Sequence, residues 1–417
     1  MTGTADERGG GYGTGASGEG CPRAHGIPDP PAPEEAGDPY AGYAAAREGP
    51  AVRAVPAGAA GRVDHLVTGY AEARAALADP RLSKDTTTFF AGKDSRRRLH
   101  PAVSASMLAT DPPRHTRLRR LVTGAFTTGA VRELRPYITR VTHGLLDGWP
   151  AGRTVDFVAG PAEPLPVIVV CELLGVPEAD RPAVRRWSAD LFAAGAPDAV
   201  DAASHAVADY MADLVAARRL APGHSLLDRL IAARDAEGRL TEEELVSLAV
   251  LLLITGHETA THALGNALLA LLRHPVELRR LRAHPEALPA ALDELLRFDS
   301  AVGTATFRYA LRDLTLGGTE IPAGSPVLVA LGAANRDPAR FPDPDLLDPA
   351  RDASGHLAFG HGIHRCAGAP LAVAELEIAL RAVLERHPGI RLAVPAGRLE
   401  WRRTRLVRGL VALPVRV

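Results

Sequence analysis

The stretch Phe359-Gly360-His361-Gly362-Ile363-His364-Arg365-Cys366-Ala367-Gly368 sets the tightest limit on what this chain can become. It places one cysteine among three glycines. An apolar helical period follows at once through Leu371, Ala374, Leu376, Ile378, Ala379 and Val383. Pro370 suits the first turn of that helix, where a missing N–H costs nothing. Cys366 therefore stands just ahead of a helix N-terminus, where the dipole and free N–H groups are expected to lower the thiol pKa and favour the thiolate. Gly360, Gly362 and Gly368 let the backbone fold tightly enough for amides to approach the sulfur. A thiolate held in this way can be the axial ligand of a haem iron. The competing reading is a buried, inert cysteine.

Composition narrows the setting. The 417 residues are 46% hydrophobic and 23% charged, enough apolar content for a large core. A net charge of −1 gives no bulk attraction to nucleic acid or to an anionic membrane. Cys21, Cys171 and Cys366 are scattered, with no C-x-x-C. A disulfide framework, a cysteine zinc site and c-type haem attachment are therefore unsupported, and a reducing cytosol fits. Residues 1–38 are rich in Gly, Pro, Ser and Glu and are expected to be disordered. Residues 39–417 are expected to form one domain. The N-terminus lacks the pattern of a signal peptide, and no apolar run reads as long enough to span a bilayer. A cytoplasmic protein is expected, with no membrane or nucleic-acid partner.

Three further patterns precede the cysteine. Asp111-Pro112-Pro113-Arg114-His115 opens a helix on which His115 and Arg119, four residues apart, share a face. Thr241 and Glu244 form a capping box at the start of a long helix that runs to Arg273, with His274-Pro275 as its stop. That helix should be buried, yet its middle carries Thr255-Gly256-His257-Glu258-Thr259, polar groups that are costly to bury unless paired or useful. A zinc-protease reading of His257-Glu258 fails. Thr261 occupies the fifth position, and His262 lies about 140° further around the helix. Glu294 and Arg297 are three apart on another helix and can pair. Residues 84–109 read as loop, Ser300 to Thr306 as a strand edge, and Trp401 to Gly409 as a hairpin.

Phe-Gly-x-Gly-x-His-x-Cys-x-Gly, preceded in order by His115-x-x-x-Arg119, Gly256-x-Glu258-Thr259 and Glu294-x-x-Arg297, resembles the cytochrome P450 family from about Pro39 to Val417. The resemblance implies a mainly α fold with a small β region, a triangular prism with haem between the long distal helix and the cysteine loop. It implies haem b with Cys366 as the metal ligand and His115, Arg119, Arg308 and His364 on the propionates. Phe359, Gly360 and Gly256 would also contact the cofactor. Thr259 would hydrogen-bond the activated oxygen and Glu258 would relay protons. Thr255 and Ala260 depart from the usual Ala or Gly and Thr. Glu294 and Arg297 would be a structural clamp, with partners from Asn335 to Arg351, and Cys171 only packing.

The substrate wall implied by the resemblance includes Thr255, Leu252, Val302 and Arg405, with mobile parts near residues 84–109 and 191–200. The activity implied is that of a monooxygenase. It inserts one atom of O2 into a C–H or C=C bond of a small organic substrate, a bacterial polyketide, macrolide, terpenoid or peptide. Electrons would come from NAD(P)H through a separate ferredoxin and ferredoxin reductase, docking near Arg117, Arg120 and Arg365. The alternatives are oxidative coupling of aromatic units without oxygen insertion, a peroxygenase, and a non-catalytic haem sensor.

Overall fold

The computed structural model describes residues 38–57, 63–92, 98–192, 197–236, 238–402 and 406–417. The expected disordered tail lies outside them except for Asp38, whose side chain caps the helix Pro39–Arg47 by accepting from the Tyr40 N–H. The architecture is mainly α, with four small sheets of two or three strands.

Glu242–Arg273 is the central helix, and most of its side chains are buried. Both halves of the capping box form. The Thr241 hydroxyl accepts from the Glu244 N–H at 3.2 Å, and the Glu244 carboxylate accepts from the Thr241 N–H at 3.2 Å. By length and composition this helix is apolar enough to cross a membrane, which corrects the expectation that no run is. Its best window is 78% buried inside the protein, the mark of a core helix. It packs on Pro164–Leu174, Pro197–Leu220 and Ala369–Arg386. Burial of each Leu, Val or Ile side chain at these contacts stabilises by about 1.5–3 kcal/mol. Pro164–Leu174 is apolar on nearly all faces and holds Cys171 in the core. Gly175, at φ +71°, ends it in the left-handed conformation that glycine tolerates.

The β region draws on strands from both ends of the chain. Val52–Pro56 pairs antiparallel with Val63–Val67, and Val327–Val329 runs parallel to the latter. Helix Tyr70–Ala78 closes a second, smaller core against them, with Val52, Val67, Ala73, Leu77, Val327 and Val329 buried. The turn at Gly317 and Gly318, with φ of +55° and +79°, joins Leu314–Leu316 to Thr319–Ile321 as expected.

Two expectations are corrected. Residues 84–109 are not plain loop, since Thr86–Phe90 and Pro101–Ser104 are short helices. Asp85 caps the first by accepting from the Thr88 N–H, and His100 Nδ1 caps the second by accepting from the Ala102 N–H. Ser300 to Thr306 forms no ladder. Val302 makes one isolated bridge to Val407, while Gly303 donates to the Leu406 carbonyl and Ala305 to the Val329 carbonyl. Its backbone is shared between two partners, so no strand develops.

Candidate active site

The cysteine loop is wound by its glycines. Gly360 and Gly362 sit at φ +69° and +74°. A Cβ at Gly362 would also meet the Leu77 carbonyl oxygen at 2.7 Å, so no other residue fits there. The turn closes when Cys366 N–H donates to the Phe359 carbonyl at 2.8 Å. The Gly368 and Ala369 amides favour the charged sulfur. Cys366 keeps an accessible face. Even so, burial raises its thiol pKa above the ordinary value, against the opposing Gly368 amide, Arg119, Arg365 and Ala369 amide. The expected lowering by the helix N-terminus is thereby corrected: the donors are present, but desolvation outweighs them. A metal ion reverses that balance, because a coordinated thiol is deprotonated outright.

Beside the sulfur, five nitrogen side chains from four segments converge. His115 is 2% exposed, and neither ring nitrogen has a partner. Its ring centroid lies 4.0 Å from that of His364, whose Nε2 is also buried without a partner. Arg308 is 3% exposed and donates only to the Thr306 carbonyl, at 3.3 Å. Burial lowers its pKa to about 10. Lys84, also buried, donates to the Thr306 hydroxyl. Burial, then Arg308, pulls its pKa well down. Arg119 donates to the Arg365 carbonyl and so ties its helix, Arg114–Thr123, to the cysteine loop. Burial, then Lys84, His115, Arg308 and Arg119, lowers the His364 pKa to about 2.

Lys84 and Arg308 thus share the nearby carboxylate of Asp111, which also accepts from the Ser83 hydroxyl and the Lys84 amide. Buried basic side chains that outnumber their acid, with three orphaned imidazole nitrogens beside them, are expensive unless an anion fills the space. Among the described residues no cluster of three or more His, Cys, Asp or Glu suits a metal ion. An iron here has to bring its own equatorial ligands. Haem b, with one open axial position and two propionates, fits both requirements. Lys84 was not singled out in the sequence. The available signal is rarity, since the chain has only two lysines.

The central helix is unbroken across residues 255–259. Thr255 Oγ1 donates to the Leu251 carbonyl at 2.7 Å, and Thr259 Oγ1 to the Thr255 carbonyl at 3.4 Å. Gly256 has a packing reason, since a Cβ there would come within 2.9 Å of Val170 Cγ2. Glu258 is 6% exposed and lies 3.4 Å from His262 Nε2 and 3.7 Å from Arg402 Nη1. Burial pushes its pKa up, but His262, Arg402 and His257 outweigh it, and the net shift is downward. Leu252 is buried in the same helix, and Val302 sits at its bridge to Val407. Arg405 lies outside the described residues.

Glu294 and Arg297 are 0% exposed. Arg297 donates through Nε and Nη2 to both Glu294 oxygens, at 2.6 and 2.8 Å. Its Nη1 reaches the Asn335 and Pro344 carbonyls at 2.8 and 2.9 Å. Arg351 Nε and the Asp348 N–H complete the shell around Glu294. Such a pair stabilises only because every donor is met.

The family description Cytochrome P450 matches residues 198–388. The chain is 45% identical over 392 residues to cytochrome P450 monooxygenase PikC of Streptomyces venezuelae, covering 91% of each. It is 42% identical over 392 residues to 6-deoxyerythronolide B hydroxylase of Saccharopolyspora erythraea, covering 91% of this chain and 96% of that one. Among solved structures, it is similar to the tirandamycin C-bound P450 monooxygenase TamI. The TM-score is 0.86 at 44% identity, over 93% of this chain and 100% of that one.

Proposed function

The chain belongs to the cytochrome P450 family and is a haem-thiolate monooxygenase, and we propose that it oxidises a polyketide or macrolide at a C–H or C=C bond. The observation that carries the substrate class is 42–44% identity to relatives named for such work. They include 6-deoxyerythronolide B hydroxylase and, at 44% identity over 355 residues, mycinamicin IV hydroxylase/epoxidase of Micromonospora griseorubida.

When bound, haem supplies activation of O2 with two electrons from NAD(P)H, one oxygen atom going to substrate and the other to water. We assign the remaining roles to this chain's own side chains. Cys366 would give the sulfur that holds the iron, its charge favoured by the Gly368 and Ala369 amides. His115, Arg119, Arg308, His364 and Lys84 hold the two propionates. Glu258 stores a proton at its carboxylate, and the Thr259 hydroxyl presents one to the distal space after turning from the Thr255 carbonyl. Leu252, Thr255 and Val302 line the substrate space, and the Glu294–Arg297 pair fixes the backbone behind the cysteine loop.

Separate donor proteins deliver the electrons, and we assign that task to a ferredoxin and its reductase in the cytoplasm, docking near exposed Arg120 and Arg365. Arg117 is less free than expected, because it donates to the Glu244 carboxylate and the Arg239 carbonyl.

A second reading has one specific support. The chain is also similar to the cytochrome P450 enzyme CxnD for C–S bond formation in chuangxinmycin biosynthesis, TM-score 0.82 at 38% identity. Turnover of macrolactones that shift the haem spin state, run under isotopically labelled O2, separates the two. Label in the product supports monooxygenation. Unlabelled coupled product, or no spin shift with any macrolactone, sinks the proposed substrate reaction.

A further inference from the structure

The distal acid has two partners that the patterns in the sequence did not assign. His262 lies one turn beyond Glu258 on the central helix, is 2% exposed, and brings Nε2 to 3.4 Å from the carboxylate. Arg402 comes from the C-terminal hairpin and brings Nη1 to 3.7 Å from the other carboxylate oxygen. The same hairpin makes room for the imidazole. An ideal Cβ at Gly409 would lie 2.0 Å from His262 Nδ1 and 2.2 Å from its Cγ, an overlap that no side chain escapes. Arg402 N–H donates to the Gly409 carbonyl at 2.9 Å, so the residue that contacts the acid and the glycine that seats the imidazole face each other across the hairpin. That hairpin also carries Val407, which bridges to Val302 on the substrate wall.

We propose that His262, seated by Gly409, is a positioning residue for the distal acid, and that with Arg402 it holds the Glu258 carboxylate ionised and in place between proton transfers. The proposal rests on the reading of Glu258 as a proton relay and deepens it. The paired segments around Arg402 and Gly409 become part of proton delivery. The charged groups around the acid are His257 and His262 from its own helix and Arg402 from the hairpin. His257 is turned away, its Nδ1–H donating to the Leu253 carbonyl at 2.7 Å, and it is flanked by Glu163 and Arg185. It therefore cannot take the place of His262 beside the carboxylate.

The test titrates the acid directly in the haem-loaded protein by infrared difference spectroscopy. The carbonyl band of protonated Glu258 is identified as the band lost in Glu258→Gln. His262→Phe keeps a ring against Gly409 but removes the donor, and the midpoint of the band should move up by about one pH unit. His262→Gln keeps an N–H group without the imidazole and should move it by less than half as much. Arg402→Gln should also move it upward, which covers the case of a poorly folded His262→Phe. An unmoved midpoint in His262→Gln, His262→Phe and Arg402→Gln overturns the assignment. Failure of the relay reading looks different: NADPH oxidation at the parental rate in Glu258→Gln, driven by a surrogate ferredoxin and reductase.

Discussion

The imidazoles of His115 and His364 stack at 4.0 Å between centroids, at a tilt of 43°, although one comes from the helix Arg114–Thr123 and the other from the cysteine loop. Two rings this close, with both His115 nitrogens and His364 Nε2 unpartnered and with Lys84, Arg119 and Arg308 beside them, form a site built for negative charge. Without a dianion it is strained electrostatically; with one, it is satisfied.

Lys84→Met should therefore act with opposite signs on the two forms of the protein. It removes a buried surplus charge from the haem-free chain, which should melt at the parental temperature or above. It removes a charge-assisted hydrogen bond worth about 1.5–3 kcal/mol from the loaded protein. Haem transfer to an acceptor globin should then run about tenfold to a hundredfold faster. Parental transfer rates would place Lys84 outside the propionate shell.

The pH dependence of the haem-free chain follows from the same cluster. Burial lowers the pKa of His364 from 6.5 to about 2, and it lowers His115 and His257 in the same direction. The unfolded chain then binds more protons than the folded one below pH 6.5, so stability falls as pH drops through that window. Glu244, held down to about 2 by Arg117, adds to the loss only below its ordinary value of 4.5. Denaturant melts between these two limits should show the histidine loss partly offset by Glu375, whose carboxyl burial pushes up to about 8, and His364→Gln should reduce the fall in stability. A flat parental profile there contradicts the burial of these rings.

Breaking the Glu294–Arg297 pair should cost about 3–5 kcal/mol, because either truncation strands a buried charge. Arg297→Ala also orphans the Asn335 and Pro344 carbonyls. Urea unfolding of the loaded protein reads the loss directly. A cost below about 1 kcal/mol would mean that the pair is solvated in solution.

Gly409→Ala should destabilise by about 1–3 kcal/mol, since its methyl overlaps the His262 ring. Most of that cost should vanish in a His262→Ala background. A double-mutant cycle on thermal melts gives the coupling, and additive effects would show that the ring and the hairpin move apart freely.

How much of this was legible follows from how each feature is written in the chain. The central helix has a local signature at both ends, the Thr241–Glu244 box and His274-Pro275, and the structure has it from Glu242 to Arg273. The cysteine loop is equally local, because glycines at left-handed φ leave few alternatives. Lys84 was not legible. Its role depends on Thr306 and Arg308, far away in the chain, and nothing beside it announces burial. His262 was weighed only as a zinc ligand and rejected. Its contact with Glu258 is readable from the four-residue spacing, but its seat against Gly409 is tertiary. The thiol shift of Cys366 was misjudged for a similar reason: donor geometry is local, whereas desolvation sums over everything packed around the sulfur.

The central claim is that Cys366 sulfur is the protein's bond to haem iron, and the carbon monoxide difference spectrum of the reduced, haem-loaded protein tests it most directly. A strongly red-shifted Soret band, lost in Cys366→His with haem still bound, is the predicted result. A band at the position of imidazole-ligated haem in folded parental protein, or a red-shifted band that survives Cys366→His, would contradict it.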